Sequence, residues 1–173
     1  MSPSTPSTTG RLTIVTMSHP DARVRQGVGF ALTHPYVERC WGAIVGPSGT
    51  MLLRRLPQLW AEREPAVVEV EEFARTLGLS GQGGERSIFH RTLDRLTNLH
   101  LAVWTDTGAA IGVYAKLPPI RWQRVARLPT ATQRDHLRLL GDARSASTST
   151  SHTAPDHRSL VETSTHRLGE RTR

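Results

Sequence analysis

The sequence predicts an α+β fold, mainly helical, held in one domain between two polar ends. Three observations lead there. Between residues 34 and 140, apolar side chains recur at the three- and four-residue spacing of amphipathic helices. Only one pair of extended segments, residues 101–105 and 110–116, brackets a glycine-bearing turn in the manner of a hairpin. The two ends are rich in Ser, Thr and Pro, or in Ser, Thr, His and Arg, and contain too few apolar residues to offset the entropy of ordering them. The chain of 173 residues therefore divides into a loosely held leader (1–33), a folded domain (34–140) and a disordered tail (141–173).

Within the leader, residues 12–17 form a short apolar run with strand character. The polar stretch 18–26 and the glycines at 27 and 29 favour a loose segment, and Met17 offers an alternative start. Order is expected from His34-Pro35-Tyr36 onward. Tyr36, Val37, Cys40, Trp41 and Ile44 make one apolar face of a short helix, which Gly46-Pro47-Ser48-Gly49 breaks. Ser48 or Thr50 caps a second helix whose inward stripe is Leu52, Leu53, Leu56, Leu59 and Trp60. Pro57 falls inside that stripe. A helix-interior proline costs about 3 kcal/mol through its lost hydrogen bond and its clash with the preceding turn, so a kink or break is expected there.

A short β-branched segment at Val67-Val68 precedes Val70, Phe73, Ala74 and Leu77, an i, i+3, i+4, i+7 set that predicts a helix of about two turns. Glu69, Glu71 and Glu72 oppose its positive end, and Gly78 terminates it. The glycine-rich connection 80–86 follows. Ser87 then caps a helix over residues 87–99, in which Phe89, Leu93, Leu96 and Leu99 face inward and Arg91, Asp94, Arg95 and Asn98 face outward. After the hairpin, Pro118-Pro119 ends the second strand. Arg121, Arg124 and Arg127 alternate with Trp122, Val125 and Leu128, and Thr130 caps a last helix to about Leu140.

The formal charge of +7 is unevenly spread. Residues 34–85 hold five basic and seven acidic side chains, whereas residues 86–138 hold nine basic and three acidic ones. One half of the domain is thus suited to an anionic partner, and it begins at the 87–99 helix. Arg and Asn carry the paired donors and acceptors that match guanine and adenine edges in a DNA major groove.

The order helix, strand, helix, glycine turn, helix, hairpin resembles the winged helix-turn-helix family of DNA-binding domains over roughly residues 48–117. The stretches that carry the resemblance are residues 68–79, residues 89–101 and the Asp106-Thr107-Gly108 turn. The resemblance implies that Arg91, Arg95 and Asn98 read bases, with His90 and Thr92 at the margin and Asp94 either steadying Arg91 or accepting from cytosine. It further implies that Ser87 and the adjoining Arg86 meet a phosphate at the helix start. The wing, residues 105–110 with Lys116 at its base, would lie along a neighbouring backbone or minor groove. Arg121, Arg124 and Arg127 are read as backbone contacts or as a solvated face. Two features depart from the family pattern: the 80–86 turn exceeds the usual three or four residues, and the short wing carries Asp106 and no arginine.

Other chemistry finds little footing. Cys40 is the one cysteine, so neither an internal disulfide nor a cysteine zinc site can form, and beside Trp41 it reads as a core residue. The eight histidines are scattered, with His152, His157 and His166 in the tail, so no metal and no cofactor are expected. Gly81-Gln82-Gly83-Gly84 lacks the Gly-Lys-Ser/Thr ending of a phosphate-cradling loop. No apolar run approaches the roughly 18 residues of a membrane span. The expectation is a non-enzymatic cytoplasmic protein, nucleoid-associated when bound to double-stranded DNA, with no small-molecule ligand evident. Its expected role is that of a bacterial transcriptional regulator. The alternatives are a winged-helix protein-interaction module or a replication or maintenance factor of a mobile element. A homodimer, through residues 37–44 or 131–140, is left open.

Overall fold

A computed structural model describes residues 10–79, 87–105 and 110–150, with side chains to residue 145. It is α+β and mainly helical. The glycine connection 80–86, the turn 106–109, residues 1–9 and the tail beyond 150 lie outside the described residues.

The first difference from expectation is at the start. Residues 11–17, expected in a loose leader, form β1 (Arg11–Met17), an inner strand of the main sheet. β1 pairs antiparallel with β3 (Ala66–Glu69), Leu12 standing opposite Val68 and Ile14 opposite Ala66. On its other side it pairs parallel with β5 (Ala110–Tyr114), Ile14 opposite Ile111 and Thr16 opposite Val113. β4 (Ala102–Trp104) completes the order β3-β1-β5-β4 by antiparallel pairing with β5. Strand alternation puts Leu12, Ile14, Val68, Ile111, Val113 and Ala102 on one face, and all six are buried. Seven residues look weak as an isolated strand. Flanked on both sides by partners distant in sequence, they become the middle of the sheet.

The rest of the leader also has fixed structure. A turn of π-helix at Val24–Val28 is followed by β2 (Phe30–Ala31), which pairs with β6 (Lys116–Leu117) in a second, two-stranded sheet. The extended segment 110–116 is therefore split between two sheets.

Another π-helical turn, Val37–Trp41, runs into α1 (Gly42–Glu62). The break expected at the Gly46 segment is present: Gly46 has φ 79° and ψ 175°, while the residues around it are helical. The break expected at Pro57 is absent, for the helix continues through it to Glu62. The reason is packing, since Leu52, Leu53 and Leu56 are buried directly before the proline and outweigh one missing hydrogen bond. α2 (Val70–Thr76) is capped by the Glu69 carboxylate, which accepts from Glu72 N at 2.9 Å, and the chain turns away at Gly78 with φ 69°. α3 (Ile88–Asn98) follows, with Phe73 of α2 meeting Phe89 edge-on at 5.8 Å.

α4 (Trp122–Val125) is a single turn, and α5 (Thr130–Thr150) runs ten residues beyond the expected end at Leu140. The cause is again tertiary. Leu139 is buried, Leu140 and Ala143 pack against the core, and Arg138 pairs with Asp142 at 3.9 Å, so the helix passes Gly141 intact. One buried hydrogen-bond chain ties α5 to the start of the domain. Ile120 N donates to the Tyr36 hydroxyl at 2.9 Å, and that hydroxyl oxygen lies 2.6 Å from His136 Nδ1.

Cys40 and Trp41 are buried as expected, the indole donating to Pro118 O at 2.9 Å and burial pushing the thiol up to about 11. Val37, Cys40 and Trp41 thus pack inside the fold. No helix among the described residues is long and apolar enough to cross a membrane.

Candidate nucleic-acid interface

Helical geometry at about 100° per residue sorts the side chains of α3 into two arcs. Phe89, His90, Thr92, Leu93 and Leu96 are buried, whereas Arg91, Arg95 and Asn98 are exposed and Asp94 is half-buried. The open face is the one expected for base reading. His90 and Thr92 do not belong to it: both are buried, His90 Nδ1 lies 2.9 Å from Ser87 Oγ, and the His90 ring meets Phe89 edge-on. The inward arc is about 160° wide, broader than the Phe89, Leu93, Leu96 stripe alone, and position 90 falls within it.

Ser87 is the N-cap, its Oγ accepting from His90 N at 3.2 Å. The same hydroxyl is hydrogen-bonded to His90 Nδ1, so it is engaged within the fold. Arg86 lies outside the described residues. Lys116, expected at the base of a wing, stands on β6 and donates to Arg25 O at 3.0 Å. The hairpin itself is not free-standing, because β5 is held along its length by β1. Asp94 forms no ion pair with Arg91, and the Arg91 guanidinium has no partner among the described residues.

Periodicity along the chain does not disclose the company α3 keeps. Its open face forms one wall of a groove of about 870 Å³, lined also by Ile44, Val45 and Ser48 from the kinked start of α1 and by Arg124 of α4. The kink makes this possible. At Gly46 the first segment of α1 ends and Pro47 restarts the helix, where its missing N–H costs nothing. Thr50 Oγ1 donates to Gly46 O at 2.9 Å. Ser48 then reaches Thr92, their hydroxyl oxygens 3.0 Å apart, while Thr92 donates to Ile88 O at 2.7 Å. Arg95 Nη1 lies 3.4 Å from the Val45 carbonyl, which the break leaves facing α3. Arg95 is therefore both exposed and tethered, whereas Arg91 and Asn98 are free to meet a ligand.

A side chain at Gly46 is expected to disturb this corner. Its φ of 79° with ψ of 175° is a backbone region nearly closed to other residues, and a Cβ there would stand 3.2 Å from Arg95 Nη1. Gly46→Ala should lower stability by about 1–3 kcal/mol, read as an earlier urea midpoint at unchanged slope. An unchanged midpoint would show that α1 can restart without the glycine.

Arg124, which sequence reasoning places on no groove-filling element, thus stands opposite Arg91 and Asn98. The signal is present in the three-residue spacing of Arg121, Arg124 and Arg127, but nothing local ties that run to α3. A second cleft, of about 1140 Å³, adjoins the first, sharing Asn98, Leu99 and Arg124 with it. Compared with family models, curated proteins and solved structures, the chain matches none.

Proposed function

We propose that this chain is a sequence-specific double-stranded DNA-binding protein of the winged helix-turn-helix kind, acting as a transcriptional regulator with α3 as its reading helix. The observation that carries the reading is the composition of the open α3 face. Arg91 and Asn98, seven residues apart and two turns along the helix, project from a buried stripe, and among the described residues no internal partner takes up the Arg91 guanidinium. A guanidinium pairs with guanine O6 and N7, and a carboxamide with adenine N6 and N7. Across the groove Arg124 adds a positive charge suited to phosphate. Among the described residues, the only acidic side chain lining that groove is Asp94.

The element order α1, β3, α2, α3, β4, β5 supports the same reading, as does the concentration of basic residues from α3 onward.

The test is selection from a pool of randomised duplexes, followed by titration of the enriched sequence at two salt concentrations. Affinity should fall steeply with salt, as it does when phosphate contacts release counterions. Arg91→Ala and Asn98→Ala should each weaken the selected site by about 1–3 kcal/mol and relax one base position. Absence of duplex binding at low salt would overturn the proposal. Equal losses on selected and random duplexes would remove α3 as the reader.

A further inference from the structure

We infer that Arg121, Arg124 and Arg127 form a phosphate-gripping ladder on the wall facing α3, so that the second DNA backbone contact is made from the α4 side of the fold and not from the β4–β5 hairpin. This inference rests on the duplex reading above and gives it a direction.

The backbone of the segment sets the spacing. Arg124 N donates to Arg121 O at 2.9 Å and Arg127 N to Arg124 O at 3.1 Å, so the three arginines follow one another at three-residue steps. Residues three apart on a helical turn are neighbours on its surface, so each arginine lies beside the next. All three arginines are exposed, and among the described residues none of their side chains has a hydrogen bond or an ion pair. Among the described residues the one acid lining the adjoining cleft, Asp21, is already engaged: it accepts from Arg23 N at 2.9 Å and stands 4.0 Å from the Arg23 guanidinium. Three guanidiniums held together without a counter-charge repel one another, and an anion bound across them relieves that repulsion.

The ladder also stands on a rigid base. Val125 is fully buried, and Gln133 Nε2 donates to Leu128 O at 2.8 Å. Upstream, Trp41 holds Pro118 and Tyr36 holds Ile120. The segment is fastened at both ends and from beneath, so little ordering is left to be done when a strand arrives. Continuity supplies direction: the α3 groove opens into the ladder's cleft through Asn98, Leu99 and Arg124.

The hairpin offers none of this. β4 and β5 contain no basic residue, the turn joining them has Asp106 as its one charge, and Lys116 is committed to Arg25 O on the second sheet.

The experiment uses the full chain with a fluorescein-labelled mixed-sequence duplex and the duplex selected above, titrated between about 50 and 200 mM salt. The variants are a triple Arg121→Ala, Arg124→Ala, Arg127→Ala and a control Lys116→Ala. The triple variant should weaken both duplexes by a similar factor and reduce the slope of log K against log salt by about 2–3, close to one for each phosphate no longer neutralised. Its preference for the selected duplex should be kept, and Lys116→Ala should match wild type in both affinity and slope. A thermal melt of each variant, expected to match wild type because the side chains are exposed, confirms that binding is compared between folded proteins. If wild type shows salt-dependent duplex binding and the triple variant keeps the wild-type slope, the ladder is overturned while the duplex reading stands. If Lys116→Ala loses the slope instead, the backbone contact is on the other side. If wild type binds no duplex at low salt, both proposals fall. If the triple variant loses binding to nucleoside triphosphate but not to duplex, the cleft is a small-anion site and the ladder assignment fails.

Discussion

A chain lacking residues 1–16 is expected not to fold cooperatively. β1 is bonded on both sides, to β3 and to β5, and its loss would separate one edge of the sheet from the hairpin. Leu12 and Ile14, 0% and 1% exposed, would leave the core with it, and Val68 and Ile111 would lose their cross-strand neighbours. A domain of this size is stable by only about 5–15 kcal/mol, and two large side chains plus two ladders of backbone hydrogen bonds are a sizeable share of that. The graded version is Ile14→Ala, which should cost about 2–5 kcal/mol through lost burial and the cavity left behind. Chemical denaturation followed by tryptophan fluorescence measures both. A truncated chain that melts with wild-type cooperativity would show that β3 and β5 close the sheet without β1.

Tyr36→Phe should be nearly as damaging for a change of one oxygen atom. The phenol is fully buried and its ring stacks on Phe30 at 3.9 Å, so phenylalanine fits the space. What disappears is the hydroxyl that accepts from Ile120 N and is hydrogen-bonded to His136 Nδ1. Both partners would be left buried and unpaired, at about 1–3 kcal/mol each. Burial holds His136 below the ordinary histidine range, and it lowers His34 in the same direction.

The sign follows from linkage. The unfolded chain takes up these protons near the ordinary histidine value of 6.5, and the folded chain does so only at lower pH. Stability is therefore complete above about 6.5 and falls as the pH drops below it, each histidine contributing a slope of at most about 1.4 kcal/mol per pH unit. A His136→Phe variant should show a shallower decline between about pH 6.5 and 5, with His34 supplying the remainder. Equal declines in variant and wild type would place the acid sensitivity elsewhere.

The helices are the readable part of this molecule. α2 can be located from Val70, Phe73, Ala74 and Leu77, and α3 from its inward stripe, because each repeats an apolar spacing that has meaning within a few residues. The Gly46 break is readable too, since glycine followed by proline changes the backbone locally. His90 misleads because its polarity says surface while its position on the helix says core. Pro57 misleads because its cost is local and the burial of Leu52, Leu53 and Leu56 before it is not.

The starts of α2 and α3, the Phe89, Leu93 and Leu96 stripe of α3 and the gathering of positive charge from α3 onward are all legible in the chain alone. They follow from periodicity, capping and composition, each a property of neighbours along the chain. Tertiary packing settles the rest: that residues 11–17 are an inner strand, that α5 passes Gly141, and that Arg124 stands across a groove from Arg91 and Asn98. Each of those depends on joining residues tens of positions apart, as Ile14 is joined to Ile111 and Tyr36 to His136. A seven-residue strand has no stability of its own, and a run of arginines has no direction of its own. Both acquire their roles from what the folded chain sets beside them.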